Sequence, residues 1–110
     1  MKKILLIILI FYPIISFVSA ENIEWLDADK LIEFYPDTNG VNIVLASVKS
    51  NYSLCNDGAR FSLSLSHKNY QVIASALLTA FTTKQKVKVV IKKDTSCAPL
   101  IDRVVLINYQ

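Results

Sequence analysis

The sequence predicts a small, mainly β domain with a single helix. Three observations carry that expectation. Apolar and polar residues alternate strictly in one stretch and less regularly in a second, apolar residues recur every three or four positions in a stretch between them, and turn-forming clusters mark the joints. The two cysteines, Cys55 and Cys97, predict one disulfide.

The elements follow in order. Lys30-Leu31-Ile32-Glu33-Phe34-Tyr35 and Val41 to Val48 are β-prone runs flanking Pro36-Asp37-Thr38-Asn39-Gly40, which is a hairpin signal. A polar connection from Lys49 to Gly58 holds Cys55 and the turn-like Asn56-Asp57-Gly58. Arg60 to Ser66 alternates, which puts Phe61, Leu63 and Leu65 on one face and Ser62, Ser64 and Ser66 on the other. Tyr70, Ile73, Ala74, Leu77, Leu78 and Phe81 then form the stripe of an amphipathic helix, with Ser66 or Asn69 available to cap it and Thr82-Thr83 at its end. Lys86 to Lys92 alternates again with Val87, Val89 and Ile91 inward, and a last strand is expected from about Ile101 to Tyr109. Three strands, a helix and two strands is the plan of a five-stranded Greek-key barrel of the OB-fold type, with its one helix between strands 3 and 4. A sheet covered by one helix accommodates the same string.

Ahead of this domain, Lys2 and Lys3 precede an apolar run from Ile4 to Ile15, and Phe17-Val18-Ser19-Ala20 supplies small residues. That is the three-part pattern of a secretory leader, so residues 1–20 are expected to be cleaved and residues 21–110 to form a single domain. A membrane anchor requires about 20 uninterrupted apolar residues, and Pro13, Ser16 and Ser19 break this run. The expected location is therefore secreted or periplasmic, with no membrane span after cleavage. A domain of about 90 residues buries a modest share of its surface and gains from a cross-link. In an oxidising compartment Cys55 and Cys97 are expected to pair, closing a loop of about 40 residues and contributing about 4 kcal/mol in the chain-entropy account.

The formal charge of +3 includes Lys2 and Lys3, so the mature chain is close to neutral and nucleic acid is not an expected partner. The signs are unevenly spread, with Glu21, Glu24, Asp27, Asp29 and Glu33 early and Lys84, Lys86, Lys88, Lys92 and Lys93 late.

Ala76-Leu77-Leu78-Thr79-Ala80, followed by Thr82-Thr83-Lys84-Gln85-Lys86-Val87-Lys88-Val89, resembles the "LLxA…TGKxVxV" helix-to-strand passage of small secreted bacterial proteins similar to the B subunit of subtilase cytotoxin. Ile32-Glu33-Phe34-Tyr35-Pro36 looks like that family's first strand and turn, and both cysteines fall where such proteins place theirs. The resemblance spans about Lys30 to Tyr109. It implies an OB-fold of the kind used by B subunits of AB5 toxins, which form pentameric rings and bind cell-surface glycans. Lys84 stands where that family commonly has Gly, and none of the family's sugar-contacting residues is carried over.

Catalytic chemistry finds little material. His67 is the one histidine and no motif surrounds it; with both cysteines bridged, no thiol nucleophile remains. One histidine makes no ordinary zinc site, and Asp27-Ala28-Asp29 lacks the Gly and distal Glu of a calcium loop, so it reads as a solvated acidic segment. No enzymatic activity, metal or cofactor is expected. The candidate ligand residues are Lys86 and Lys88, which with Lys92 form a basic stripe suited to sialylated, sulfated or lipopolysaccharide sugars, and Trp25 and Tyr52, the aromatics that periodicity leaves unexplained. The bland readings are that the lysines guard an exposed strand and that the two rings pack over the domain's end. The leading expectation is a secreted, non-enzymatic module that binds a glycan or another extracellular ligand, as a homo-oligomer if the resemblance extends to the ring. The alternative is a periplasmic structural or protein-interaction module with no glycan binding.

Overall fold

Asp37 organises the first hairpin: its carboxylate accepts the Asn39 N–H at 2.8 Å and the Asn42 side-chain amide. The strands on either side are β2 (Leu31–Asp37) and β3 (Gly40–Leu45), joined by the two residues Thr38 and Asn39. Gly40 is required here, because it sits at φ +142° and a Cβ would come within 1.9 Å of the Leu63 carbonyl oxygen. That carbonyl belongs to β4 (Arg60–Ser64), which pairs antiparallel with β3 on its other side. The computed structural model describes residues 22–108, so the expected leader at 1–20 lies outside the described residues.

The remaining elements are β1 (Ile23–Trp25), α1 (Tyr70–Thr83), β5 (Val87–Lys92) and β6 (Ile101–Leu106). They build a second antiparallel sheet in the order β1-β5-β6, beside the sheet β2-β3-β4. The protein is mainly β, with six strands in two sheets, one helix and one disulfide. The inner faces enclose the core, where Ile43, Phe61, Leu63, Val87, Val89 and Ile91 are all fully buried. Apart from Ile43, which lies in a run read only as β-prone, those are inward positions the alternation predicts, and burying each such side chain contributes about 1.5–3 kcal/mol. Helix α1 packs against β2, β4 and β6 and buries Ile73, Leu77 and Ala80.

A closed five-stranded barrel is corrected by this arrangement. Along one seam the sheets share only the bridge between Asp29 and Val87, made by two reciprocal N–H···O bonds of 2.9 Å, followed by the Leu26 N–H donating to the Val89 carbonyl. Along the other they share only the parallel bridge between Ser62 and Leu100. Beyond that bridge the backbone of β6 takes a side-chain partner instead of a strand: His67 Nε2 lies 2.7 Å from the Asp102 carbonyl. β4 ends at Ser64, where the Ser64 hydroxyl accepts the Ser66 N–H and turns the chain away. The sixth strand, β1, is three residues long and too short to show a period; it forms because it satisfies the free edge of β5.

Three smaller expectations also change. Leu65 falls beyond the end of β4 and is 54% exposed, and Leu78 is 46% exposed because α1 turns Ala80 toward the core in its place. Asn69 is the N-cap residue, yet its side chain makes no cap bond; its own N–H donates to His67 Nδ1 at 3.0 Å. An accepting Nδ1 leaves the proton on Nε2, so the ring is held as the neutral Nε2–H tautomer that donates to Asp102. At the other end Lys84 adopts the left-handed conformation, φ 60° and ψ 32°, and the N–H groups of Lys84 and Gln85 both return to the Ala80 carbonyl. The cap that Gly commonly supplies is thus made by a lysine.

Two ties hold the loops between the sheets. Cys55 and Cys97 form the expected disulfide, joining the β3–β4 connection to the β5–β6 connection. Beside it Leu54 and Ser96 exchange N–H···O bonds with the opposite loop, and the buried Ser53 hydroxyl donates to the Arg60 carbonyl at 2.8 Å. Asp29 is the second tie. It is 5% exposed, not solvated, and its carboxylate accepts the N–H groups of Lys30, Ser47 and Val48 at 2.6–2.8 Å. Burial raises the pKa of this carboxyl, but the bonds from Val48, Ser47 and Lys30 together outweigh it, aided by the Lys86 charge, and the net result lies below the ordinary value.

Candidate functional site

In an antiparallel sheet, paired residues project to the same face. Val87, Val89 and Ile91 of β5 point to the core, so Lys88, Val90 and Lys92 point outward. The register adds Ile23 and Trp25 from β1, opposite Lys92 and Val90, and Arg103 and Val105 from β6, opposite Val90 and Lys88. The outer face of this sheet therefore carries one large aromatic and three cations.

Its centre is the row Trp25, Val90, Arg103. The Arg103 guanidinium lies 5.6 Å from the centroid of the Trp25 ring, bridging the two edge strands across the central one. Val90 is fully buried yet stands outside the core cluster, so its cover is this aromatic and cationic pair. Trp25 stays 53% exposed. An exposed cation–π contact contributes about 0.5–1 kcal/mol and keeps the ring in one orientation. Arg103 is itself held by Asp102, whose carboxylate oxygen is 2.7 Å from Nε.

Asp102 also joins this face to a cleft. The register shift between Val90 and Ile91 leaves Asp102 without a strand partner, and its carbonyl meets His67 while its carboxylate meets Arg103. The cleft, of about 370 Å³, occupies the seam where β4 and β6 part and is lined by Ser64, Ser66, His67, Asn69, Lys92 and Asp102 among others. Hydroxyl, amide and ammonium groups in one concavity suit a polyhydroxylated ligand bearing negative charge.

No protein family, curated protein or solved structure matches this chain.

Of the sequence-predicted residues, Trp25 and Lys88 come together on the outer face with Lys92. Lys86 precedes β5 and lines a separate shallow cleft with Lys84, Gln85 and Asn108, where its charge acts on Asp29. Tyr52 is half-buried and packs against the core, its carbonyl accepting the Ser96 N–H at 3.0 Å. Cys55 and Cys97 are bridged to each other. Arg103, Val90 and Asp102 are the members that sequence reasoning missed. Arg103 sits in Ile101-Asp102-Arg103-Val104-Val105-Leu106, where two adjacent charges hide the alternation, and its pairing with Trp25 depends on a long-range register.

Three or more His, Cys, Asp or Glu side chains nowhere converge as a metal cluster among the described residues, and no helix among them is long and apolar enough to cross a membrane.

Proposed function

We propose that this chain is a non-enzymatic, exported binding protein that recognises an acidic glycan through the outer face of β1-β5-β6 and the adjoining cleft. The observation that carries the reading is the half-exposed Trp25 ring, fixed by Arg103 and flanked by Lys88 and Lys92. An aromatic plane receives the apolar face of a pyranose ring, while cations beside it meet a carboxylate or sulfate through charge-assisted hydrogen bonds. The proposal agrees with the resemblance to B subunits of AB5 toxins, and multivalency would raise the avidity if the chain forms a ring. The Cys55–Cys97 disulfide is compatible with the oxidising compartment that a cleaved leader at residues 1–20 would imply.

The test is a glycan-array screen of the oxidised protein, with its mass in solution measured on the same sample by light scattering. The expected result is selective binding of sialylated or sulfated glycans that weakens as salt rises and is lost in Trp25→Ala. Binding of neutral glycans alone would overturn the acidic specificity, and absence of any glycan binding would overturn the reading. The second reading, a periplasmic protein-interaction module, draws on one observation: α1 contains no charged side chain and leaves Val72 and Leu78 exposed.

A further inference from the structure

Two local departures from regular structure meet at the C-terminal end of α1. In β2 the register shifts between Leu31 and Glu33, and the intervening Ile32 is 56% exposed. At the helix end Lys84 holds the left-handed conformation that glycine adopts without steric cost. Between them lies a cleft of about 500 Å³ with a floor of Leu31, Ile32, Ala46 and Phe81 and with the exposed Lys30 and Lys84 in its lining. Phe81 is braced from beneath by Phe34, with ring centroids 6.1 Å apart. The volume falls within the range of about 300–1,000 Å³ typical of small-molecule sites.

We propose that this cleft binds a single-chain fatty acid, its hydrocarbon lying on Ile32, Ala46 and Phe81 and its carboxylate between Lys30 and Lys84. The lining is apolar in its floor and positive at its margin, and neither lysine forms an ion pair among the described residues. An occupant must then combine an apolar body with an anionic head. A backbone outlier retained without structural need is a pointer to function. Glycine would cap α1 with less strain, whereas lysine places an ammonium beside the cleft. The site is separate from the Trp25 face, and its test is independent of glycan binding.

The experiment titrates sodium laurate, below its micelle-forming concentration, into the oxidised protein expressed from the full sequence. The readout is the NMR signals of the Ile32 and Ala46 methyl groups. Saturable shifts confined to the cleft are expected, with weaker binding of dodecyltrimethylammonium, which has the same chain and the opposite charge. Lys84→Gly is expected to weaken laurate binding by about tenfold, the loss of one charge-assisted contact, while the variant melts no lower than the parent. That combination separates a binding role from a folding role. No shifts, equal binding of the cationic amphiphile, or unchanged affinity in Lys84→Gly would overturn the proposal. A fall in solution mass on adding laurate would also overturn it, by assigning the cleft to a second copy of the chain.

Discussion

On β1-β5-β6, an aromatic ring and an arginine from the two edge strands meet across a central valine, and β2-β3-β4 repeats the device with other residues. There Arg60 of β4 lies 5.5 Å from the centroid of the Tyr35 ring of β2, on the diagonal across β3, because Val44 faces Arg60 while Asn42 faces Tyr35. Both valines are buried, Val44 at 4% exposure and Val90 at 0%. The surroundings differ. Val44 belongs to the core cluster and Val90 does not. Tyr35 and Arg60 are half-buried beside Glu33 and Asp37, so that face carries two carboxylates and one cation. The Trp25 face carries Lys88, Lys92 and Arg103 with Asp102 alone to oppose them. One packing device thus serves two ends: in a mixed-charge setting it extends the core, and in a cationic setting it leaves an aromatic surface for an external anion.

If the two sheets fold as one unit, the largest expected effect is loss of the cross-link between them. Replacing both Cys55 and Cys97 by Ser removes a cross-link spanning 42 residues of sequence, at a cost of about 4 kcal/mol in the chain-entropy account. Trp25 is the one tryptophan, so its fluorescence reports β1-β5-β6 while circular dichroism reports the whole. In urea both signals are expected to move to a lower midpoint together. Loss of the fluorescence signal first would show that the disulfide makes one unit of two sheets.

Asp29 is the next lever. Asp29→Ala strands the Ser47 and Val48 N–H groups and is expected to cost about 3 kcal/mol. Because the folded-state pKa is depressed, the carboxylate's contribution is complete above the ordinary value of 3.8 and is lost as pH falls through the lower folded-state value. The urea midpoint of the parent should therefore drop in that acidic window. In Asp29→Asn the stability above the window should be lower and its decline through the window shallower. An unchanged pH profile would remove Asp29 from the ties between the sheets.

Asp29 also shows where the sequence ceases to be legible. Alternation exposed the inward faces of β4 and β5, and the helical stripe found α1, because each is a local period whose buried side is written in consecutive residues. The disulfide was legible from the number of cysteines and the compartment the leader pattern led one to expect. Barrel closure was not, since it depends on whether β4 and β6 pair beyond Ser62, and a single histidine contact at Asp102 decides against it. Asp29 looked like one of several solvated acids because the N–H groups it satisfies come from residues 47 and 48. At the candidate site, Trp25 was visible as an aromatic that periodicity leaves unexplained and Lys88 as part of an outward basic stripe. Arg103 and Val90 became part of the site only through the register of three strands.

The smallest effect on stability discriminates best between the two faces. Trp25→Ala and Tyr35→Ala each remove one aromatic partner of an arginine, and each is expected to cost about 1 kcal/mol, between the values for exposed and desolvated cation–π contacts. Their consequences for binding should diverge. Trp25→Ala uncovers Val90, frees Arg103 to swing with Asp102 and takes away the plane on which a sugar would stack, so glycan binding should disappear. Tyr35→Ala leaves Lys88, Lys92, Arg103 and the seam cleft intact, so binding should persist at parental affinity. Equal loss in both variants would mean that the effect travels through stability, and the functional distinction between the sheets would fail. Loss in Tyr35→Ala alone would move the site to the face of Asn42 and Ser62, where the charge is mixed and a neutral sugar becomes the better fit.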